Sequence, residues 1–259
     1  MTDQPWLSII TVVKDDITGI SQTLDSLAGQ LLVGVEFLVI DSSVNRNEVP
    51  GVLDASGLEF TYSWTEPQGI YSAMNIGLAS ANGTYIYFLN AGDELLHDVL
   101  ARVKNASFAG SSPWMIGPIE VVSPQGSRVT SPHWNYSEEQ HSLFARGKFA
   151  PHQGTFARTR DLQEVGGFDT EYRIAADYAA FLRLTLISAP TMLDFPVARF
   201  YEGGTSTSQW KQSFAEFHRA RLEILAPQGF SAITERFYTA RQYFLVGLYR
   251  RFWSKIVKS

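Results

Sequence analysis

Leu7-Ser-Ile-Ile-Thr-Val-Val13 is a short, nearly continuous apolar run rich in β-branched residues, and it reads as a strand buried on both faces of a parallel sheet. The segments that follow it keep that reading. Asp16 to Gln30 sets Ile17, Ile20, Leu24 and Leu27 at helical spacing. Val35-Glu-Phe-Leu-Val-Ile40 is a second buried strand ending at Asp41, and Leu58 to Trp64 is a third. Gly69 to Ala81 is a helix with Ile70, Met74 and Leu78 on one face, closed by Asn82-Gly83 turn chemistry. Thr84-Tyr-Ile-Tyr-Phe-Leu89 is another strand, running into Asn90-Ala-Gly-Asp93. Right-handed crossovers turn this alternation into an α/β fold, a mostly parallel sheet with helices on both faces. Ligands of such sheets bind beyond the carboxyl ends of the strands, so Asp41 and Asp93 are expected on one rim.

The second half is less regular. Trp114 to Val122 and Gly126 to Thr130 read as a β-hairpin around Ser123-Pro-Gln-Gly126, and Gln153 to Arg158 as a strand or loop entering the rim. Thr159 to Val165 reads as a short helix ended by Gly166-Gly167, and Ile174 to Ser188 as a helix beginning near Asp177. Thr191 to Phe200 is extended and broken at Pro196; two helices flank Pro227-Gln-Gly229. Residues 1–225 are expected to form one domain and 226–259 a helical tail.

Composition narrows the function. The chain of 259 residues contains no cysteine, which removes disulfides, thiolate metal sites and a cysteine nucleophile. A net charge of −5 disfavours nucleic acid as a partner. The charge is uneven, because residues 236–259 hold Arg236, Arg241, Arg250, Arg251, Lys255 and Lys258 and no acid. Those basic residues interleave with Phe237, Tyr238, Phe244, Trp253 and other apolar residues, so 236–258 is read either as a peripheral membrane contact or as a helix packed on the domain. No basic-then-apolar leader opens the chain and no run of about 18 apolar residues occurs, so a cytoplasmic protein, at the cytoplasmic face of the inner membrane, is expected. The aromatic content of 13% serves a core or a carbohydrate or nucleotide site.

Eight segments in order give the chain a family resemblance. They are Leu7-Ser-Ile-Ile-Thr-Val12, Val39-Ile-Asp-Ser-Ser43, Glu66-Pro-Gln-Gly-Ile-Tyr-Ser-Ala-Met-Asn-Ile-Gly77, Phe88-Leu-Asn-Ala-Gly-Asp93, Pro151-His-Gln153, Val165-Gly-Gly-Phe-Asp169, Tyr172-Arg-Ile-Ala-Ala-Asp-Tyr178 and Gly203-Gly-Thr-Ser206. Together they resemble glycosyltransferase family 2, with its GT-A type, Rossmann-like fold, and most closely its bacterial colanic acid and exopolysaccharide branch. The resemblance implies an inverting transfer of a sugar from a nucleotide-diphosphate donor, UDP or GDP type, to a lipid-linked saccharide acceptor.

Residue roles follow by position. A departing diphosphate needs cationic stabilisation, and Mn²⁺ or Mg²⁺ takes only one or two carboxylates from protein. The resemblance makes Asp93 the metal aspartate, against a helix N-cap; Asn90 and Gly92 stand where many members carry carboxylates. Glu94 is read as opening the next helix. Asp41 is expected on the base or ribose, with Thr11 and Val12 bordering the base. Lys14 replaces a stacking aromatic and is read as a phosphate or ribose contact or as a solvated lysine. Asn75 is expected to reach the donor or hold the metal loop. His152 and Gln153 are expected to face the pyrophosphate or acceptor, and Gly204 to cover the diphosphate through backbone N–H groups. An acceptor hydroxyl must lose a proton, and the resemblance makes Asp177 the general base, against a helix-cap carboxylate. A nucleotidyltransferase and a nicotinamide dehydrogenase are set aside, since no glycine-rich loop follows the first strand. The alternative that remains is a catalytically degenerate binding or assembly subunit.

Overall fold

The computed structural model describes residues 4–30, 33–109, 113–132, 134–136, 138, 143–144, 146–148, 150–203, 209–225, 233, 235–241 and 243–245. The strands are β1 (Leu7–Val13), β2 (Val35–Asp41), β3 (Thr61–Trp64), β4 (Tyr85–Phe88), β5 (Glu94–Leu95), β6 (Trp114–Ile116), β7 (Glu120–Val122), β8 (Arg128–Thr130), β9 (Thr155–Arg158), β10 (Thr191–Met192) and β11 (Ala198–Tyr201). The helices are α1 (Ile17–Leu27), α2 (Glu48–Ser56), α3 (Ile70–Ser80), α4 (Val99–Ala109), α5 (Thr159–Glu164), α6 (Ala176–Thr185) and α7 (Trp210–Leu225), with a 3₁₀ turn at His152–Gly154.

A seven-stranded sheet runs β10-β6-β9-β4-β1-β2-β3, and only β9 is antiparallel to its neighbours. β1 lies inside it, paired with β2 from Leu7↔Val35 to Val13↔Asp41 and with β4 from Leu7↔Tyr85 to Ile10↔Phe88. Its alternation divides the core. Ile10 and Val12 pack with Tyr71, Met74 and Leu78 of α3, while Leu7, Ile9 and Val13 pack with Ile20, Leu24 and Leu27 of α1. Each such fully buried aliphatic side chain contributes about 1.5–3 kcal/mol, so β1 is stable only with both faces covered. Gly77 lets α3 approach β1 closely, since a Cβ there would lie 2.4 Å from Ile10 Cγ2. Asp16 caps α1 by accepting from Gly19 N at 2.8 Å.

The parallel order places the carboxyl ends of β1, β2 and β4 on one rim. Ser42 N donates to Val13 O on one side of β1, and Ala91 N donates to Val12 O on the other. Asp41 and the Asn90–Asp93 loop therefore flank the end of the same strand, as the strand pattern predicts.

Two expectations need correction. Trp114 to Val122 is not one arm of a hairpin. It divides at Gly117-Pro118, so β6 joins the large sheet while β7 pairs with β8 in a second sheet ordered β5-β11-β7-β8. Pro118 lacks the N–H a continuing ladder needs, and Gly117 sits too tightly for a side chain, with Val197 Cγ2 2.5 Å from a Cβ position. Thr191 to Phe200, by contrast, breaks at Pro196 as expected, into β10 and β11. Glu94 opens no helix. It lies in β5, where Arg199 Nη1 donates to Glu94 Oε2 at 2.6 Å and Tyr201 Oη to Glu94 Oε1 at 2.7 Å.

Candidate active site

The Asn90–Asp93 loop is built by backbone bonds. Asp93 N donates to Asn90 O at 3.0 Å, and Gly92, at φ 91°, donates its N–H to Gly19 O at 3.0 Å. Thr23 of α1 is the clamp. Its hydroxyl donates to Asp93 O at 2.8 Å and accepts from Gly92 N at 3.1 Å. The sequence reading missed Thr23, although a threonine on the apolar face of α1 is the visible signal.

Asp93 is 6% exposed, and Gln153 Nε2 donates to its Oδ2 at 3.3 Å. Burial pushes the Asp93 carboxyl up to about 7, opposed in part by the neighbouring His152 and the Gln153 hydrogen bond. Tyr87, fully buried, fixes Gln153 from the other side by donating to its carbonyl at 2.7 Å.

His152 precedes Gln153 in the 3₁₀ turn and faces the second carboxylate. Its Nδ1 lies 3.2 Å from Asp177 Oδ2, and its Nε2 lies 3.1 Å from Asn90 Nδ2. An amide N–H only donates, so Nε2 accepts and Nδ1 carries the proton toward Asp177. One turn of two residues thus ties Asn90 and Asp93 on one side to Asp177 on the other.

Asp177 is 8% exposed in the first turn of α6. It is not the helix cap, because Ala175 holds that position. Its Oδ1 accepts from Tyr178 N at 2.8 Å, one of the helix's otherwise unused N–H groups, and from Tyr71 Oη at 3.3 Å. Burial first, then the Asp177 charge, hold the Tyr71 phenol well above its ordinary range, so Tyr71 stays a donor. The same hydroxyl lies nearer Ile174 O, at 2.5 Å, so its one proton is shared between that carbonyl and Asp177, which joins α3 to the entry of α6.

The remaining expected residues fall differently. Asn75 spends its amide on backbone. Its Nδ2 donates to Phe168 O at 2.6 Å and its Oδ1 accepts from Phe168 N at 2.9 Å, so it pins the Gly166-Gly167 turn. The face of α3 carrying Asn75 is turned toward that turn by the burial of Met74 and Leu78. Thr11 is fully buried with its hydroxyl proton donated to Leu89 O at 2.8 Å, which leaves its side chain no donor for a base. Asp41 is fully buried at the end of β2; its Oδ1 accepts from Ser43 N at 2.7 Å and its Oδ2 from Tyr62 Oη at 2.8 Å. Val12 packs in the core on the α3 face, and Lys14 is exposed just past β1. Gly204 and residues 246–259 of the tail lie outside the described residues.

No cluster of three histidine or acidic side chains occurs among the described residues. The donor set is instead one carboxylate and one amide oxygen. Asn90 Oδ1 is buried and accepts no hydrogen bond, and burial makes the ionised form of Asp93 costly, raising its carboxyl to about 7. A hard divalent cation would relieve both, so these residues fit Mn²⁺ or Mg²⁺, whose remaining ligands would come from outside the protein.

Known proteins agree with this frame. An uncharacterised glycosyltransferase of Mycobacterium tuberculosis is 28% identical over 265 residues, covering 99% of this chain and 98% of its own. A PGL/p-HBAD biosynthesis glycosyltransferase of Mycobacterium bovis is 28% identical over 181 residues, 67% of each chain. Among solved structures, Staphylococcus aureus TarS 1–349 in complex with UDP-GlcNAc superposes with a TM-score of 0.66 at 16% identity, over 91% of this chain and 70% of that one. This chain spans only 42% of the longer TarS structure. The mannosyltransferase PcManGT of Pyrobaculum calidifontis, in complex with GDP-Man and Mn²⁺, matches with a TM-score of 0.58 at 15% identity, over 95% of this chain and 76% of that one. At such identities the structures establish the fold, a mixed α/β architecture with a mostly parallel central sheet like that of GT-A glycosyltransferases. The glycosyl transferase family 2 sequence model matches residues 8–166, which spans β1, the Asn90–Asp93 loop and the His152–Gln153 turn, and the chain belongs to that family.

Proposed function

We propose that the chain is a metal-dependent, inverting glycosyltransferase that carries a sugar from a UDP or GDP donor to a lipid-linked saccharide of a cell-surface glycan. The observation that carries the reading is the His152–Gln153 turn. Through it a buried carboxylate suited to a cation and a buried carboxylate suited to a proton are held on one rim, by bonds of 3.3 and 3.2 Å.

Asp93, with the oxygen of Asn90, would hold the cation, which supplies Lewis-acid stabilisation of the departing diphosphate. The protein's own residues do the rest. Asp177 accepts the proton of the acceptor hydroxyl as its oxygen attacks the anomeric carbon, and the bond to phosphate breaks on the opposite face, inverting the configuration. Tyr71 and Tyr178 N occupy Asp177 Oδ1, and His152 holds Oδ2, so the carboxylate keeps one orientation through the attack. Asp41 and Tyr62 close the base side of the rim, where Asp41 acts through the loop it shapes. The UDP-GlcNAc and GDP-Man of the similar structures support a nucleotide-sugar donor.

The single carboxylate of the metal loop also favours a second reading, a non-catalytic subunit that binds a donor without using it. Asp177→Asn separates the two. The enzyme reading expects turnover of donor, followed as released nucleoside diphosphate, to fall about 10²–10⁴-fold with nucleotide binding retained. No turnover by the wild-type chain with any donor, or equal turnover by the variant, contradicts it.

A further inference from the structure

The helical residues 235–241 and 243–245 are oriented against the usual rule, in which the polar face meets water and the apolar face the core. Their inward face is polar. Glu235 is fully buried and accepts from Arg221 Nε at 2.8 Å, and Thr239 Oγ1 accepts from Arg221 Nη2 at 3.2 Å. One turn further on, Tyr243 Oη donates to Lys211 O at 2.7 Å. Positions 235, 239 and 243 lie four apart, so these bonds set the rotation of the helix on α7.

That rotation turns the large apolar residues outward. Ile233 is 82% exposed, Phe237 67%, Phe244 66% and Leu245 48%. Arg236 and Arg241 are exposed on the flanks of this apolar face, and no acidic residue occurs from 236 to the end of the sequence. Leaving two phenylalanines and two branched aliphatics in water is unfavourable, and a buried ion pair holds them there. The face therefore has an occupant. A second copy on the same face would bring Arg236 and Arg241 against their own like charges, whereas an anionic lipid surface satisfies the rings and the guanidinium groups together.

We infer that this helix is a membrane-docking face. Ile233, Phe237, Phe244 and Leu245 enter the acyl boundary of an anionic bilayer, while Arg236 and Arg241 meet lipid phosphates. The inference is independent of the transfer reaction, and its test uses no donor or acceptor. The full chain would be floated with vesicles of phosphatidylcholine alone and of phosphatidylcholine with phosphatidylglycerol. Wild type is expected to float with the anionic vesicles and to be released by salt. Phe237→Ser with Phe244→Ser lowers partitioning by about tenfold or more. Arg236→Gln with Arg241→Gln lowers it by about tenfold and removes most of the salt dependence. Both pairs are exposed, so unchanged thermal melts certify the fold. Wild type that stays with neither vesicle overturns the inference, as do variants that float like wild type. So does self-association of wild type by light scattering that the phenylalanine variant abolishes.

Discussion

Asp93 joins the two chemical demands of the site in one residue. A carboxyl pushed to about 7 by burial is destabilising to the empty protein once ionised. The raised value means the native state holds its proton longer than the unfolded chain. The contribution is therefore neutral below the ordinary value of 3.8, is lost progressively as pH climbs from there, and stays lost above about 7. Asp93→Asn keeps the shape without the charge. In chelator-treated protein it should melt with wild type near pH 4 and above it at pH 8, by a few kcal/mol at most. A variant less stable than wild type at pH 8 would mean the carboxylate is satisfied in the empty protein. The residues brought together here, Asp93, His152, Gln153 and Asp177, were legible as separate motifs. Their linkage was not, because it passes through a turn whose two side chains diverge. Asn75 shows the same limit: spacing says that a polar residue lies on α3, but not that its face meets Phe168.

At the scale of elements, the 3₁₀ turn is the part on which the site depends. Gly154 has no room for a side chain, since a Cβ would lie 2.3 Å from the carbonyl oxygen of Gly117, which is backbone and cannot yield cheaply. Gly154→Ala should cost about 1–3 kcal/mol and weaken nucleotide binding, because His152 and Gln153 move with the turn. Gly51→Ala, in α2 with nothing near its Cβ position, should leave binding unchanged. Equal affinities for both variants, by calorimetry, would detach the turn from the site. β1, β2, α3 and β4 were readable because buried strands and an apolar helical stripe are long enough to show their period. β6, β7 and β10 are two or three residues long, too short for any period, and they change sheets at prolines. α2 went unread because Pro50 lies in its first turn and only Val49 and Leu53 are buried.

At the scale of the molecule, Arg221 connects the tail to α6, the helix that carries Asp177. It is 1% exposed, bonds Glu235, and reaches Tyr178 Oη at 3.3 Å, next to Asp177. Arg221→Leu leaves the buried Glu235 carboxylate with only His218 and Thr239 at Oε1, at 2.8 and 2.7 Å, and its second oxygen without a partner, and should cost up to about 3–5 kcal/mol in denaturant unfolding. Replacing both, Arg221→Met with Glu235→Leu, should recover most of that loss; a double variant as unstable as the single one would show that the pair does more than neutralise itself. The basic composition of the tail was plain in the sequence, but the direction it faces came only with the buried pair.

The central claim is that Asp93 makes this rim a metal-dependent nucleotide site. Calorimetric titration of UDP and of GDP, each with and without Mn²⁺, against wild type and Asp93→Asn, tests it most directly. The account predicts that one nucleotide binds wild type only when Mn²⁺ is present, and that Asp93→Asn loses that binding while remaining folded. Folded wild type that binds neither nucleotide, or an Asp93→Asn variant that binds as tightly as wild type, would contradict it.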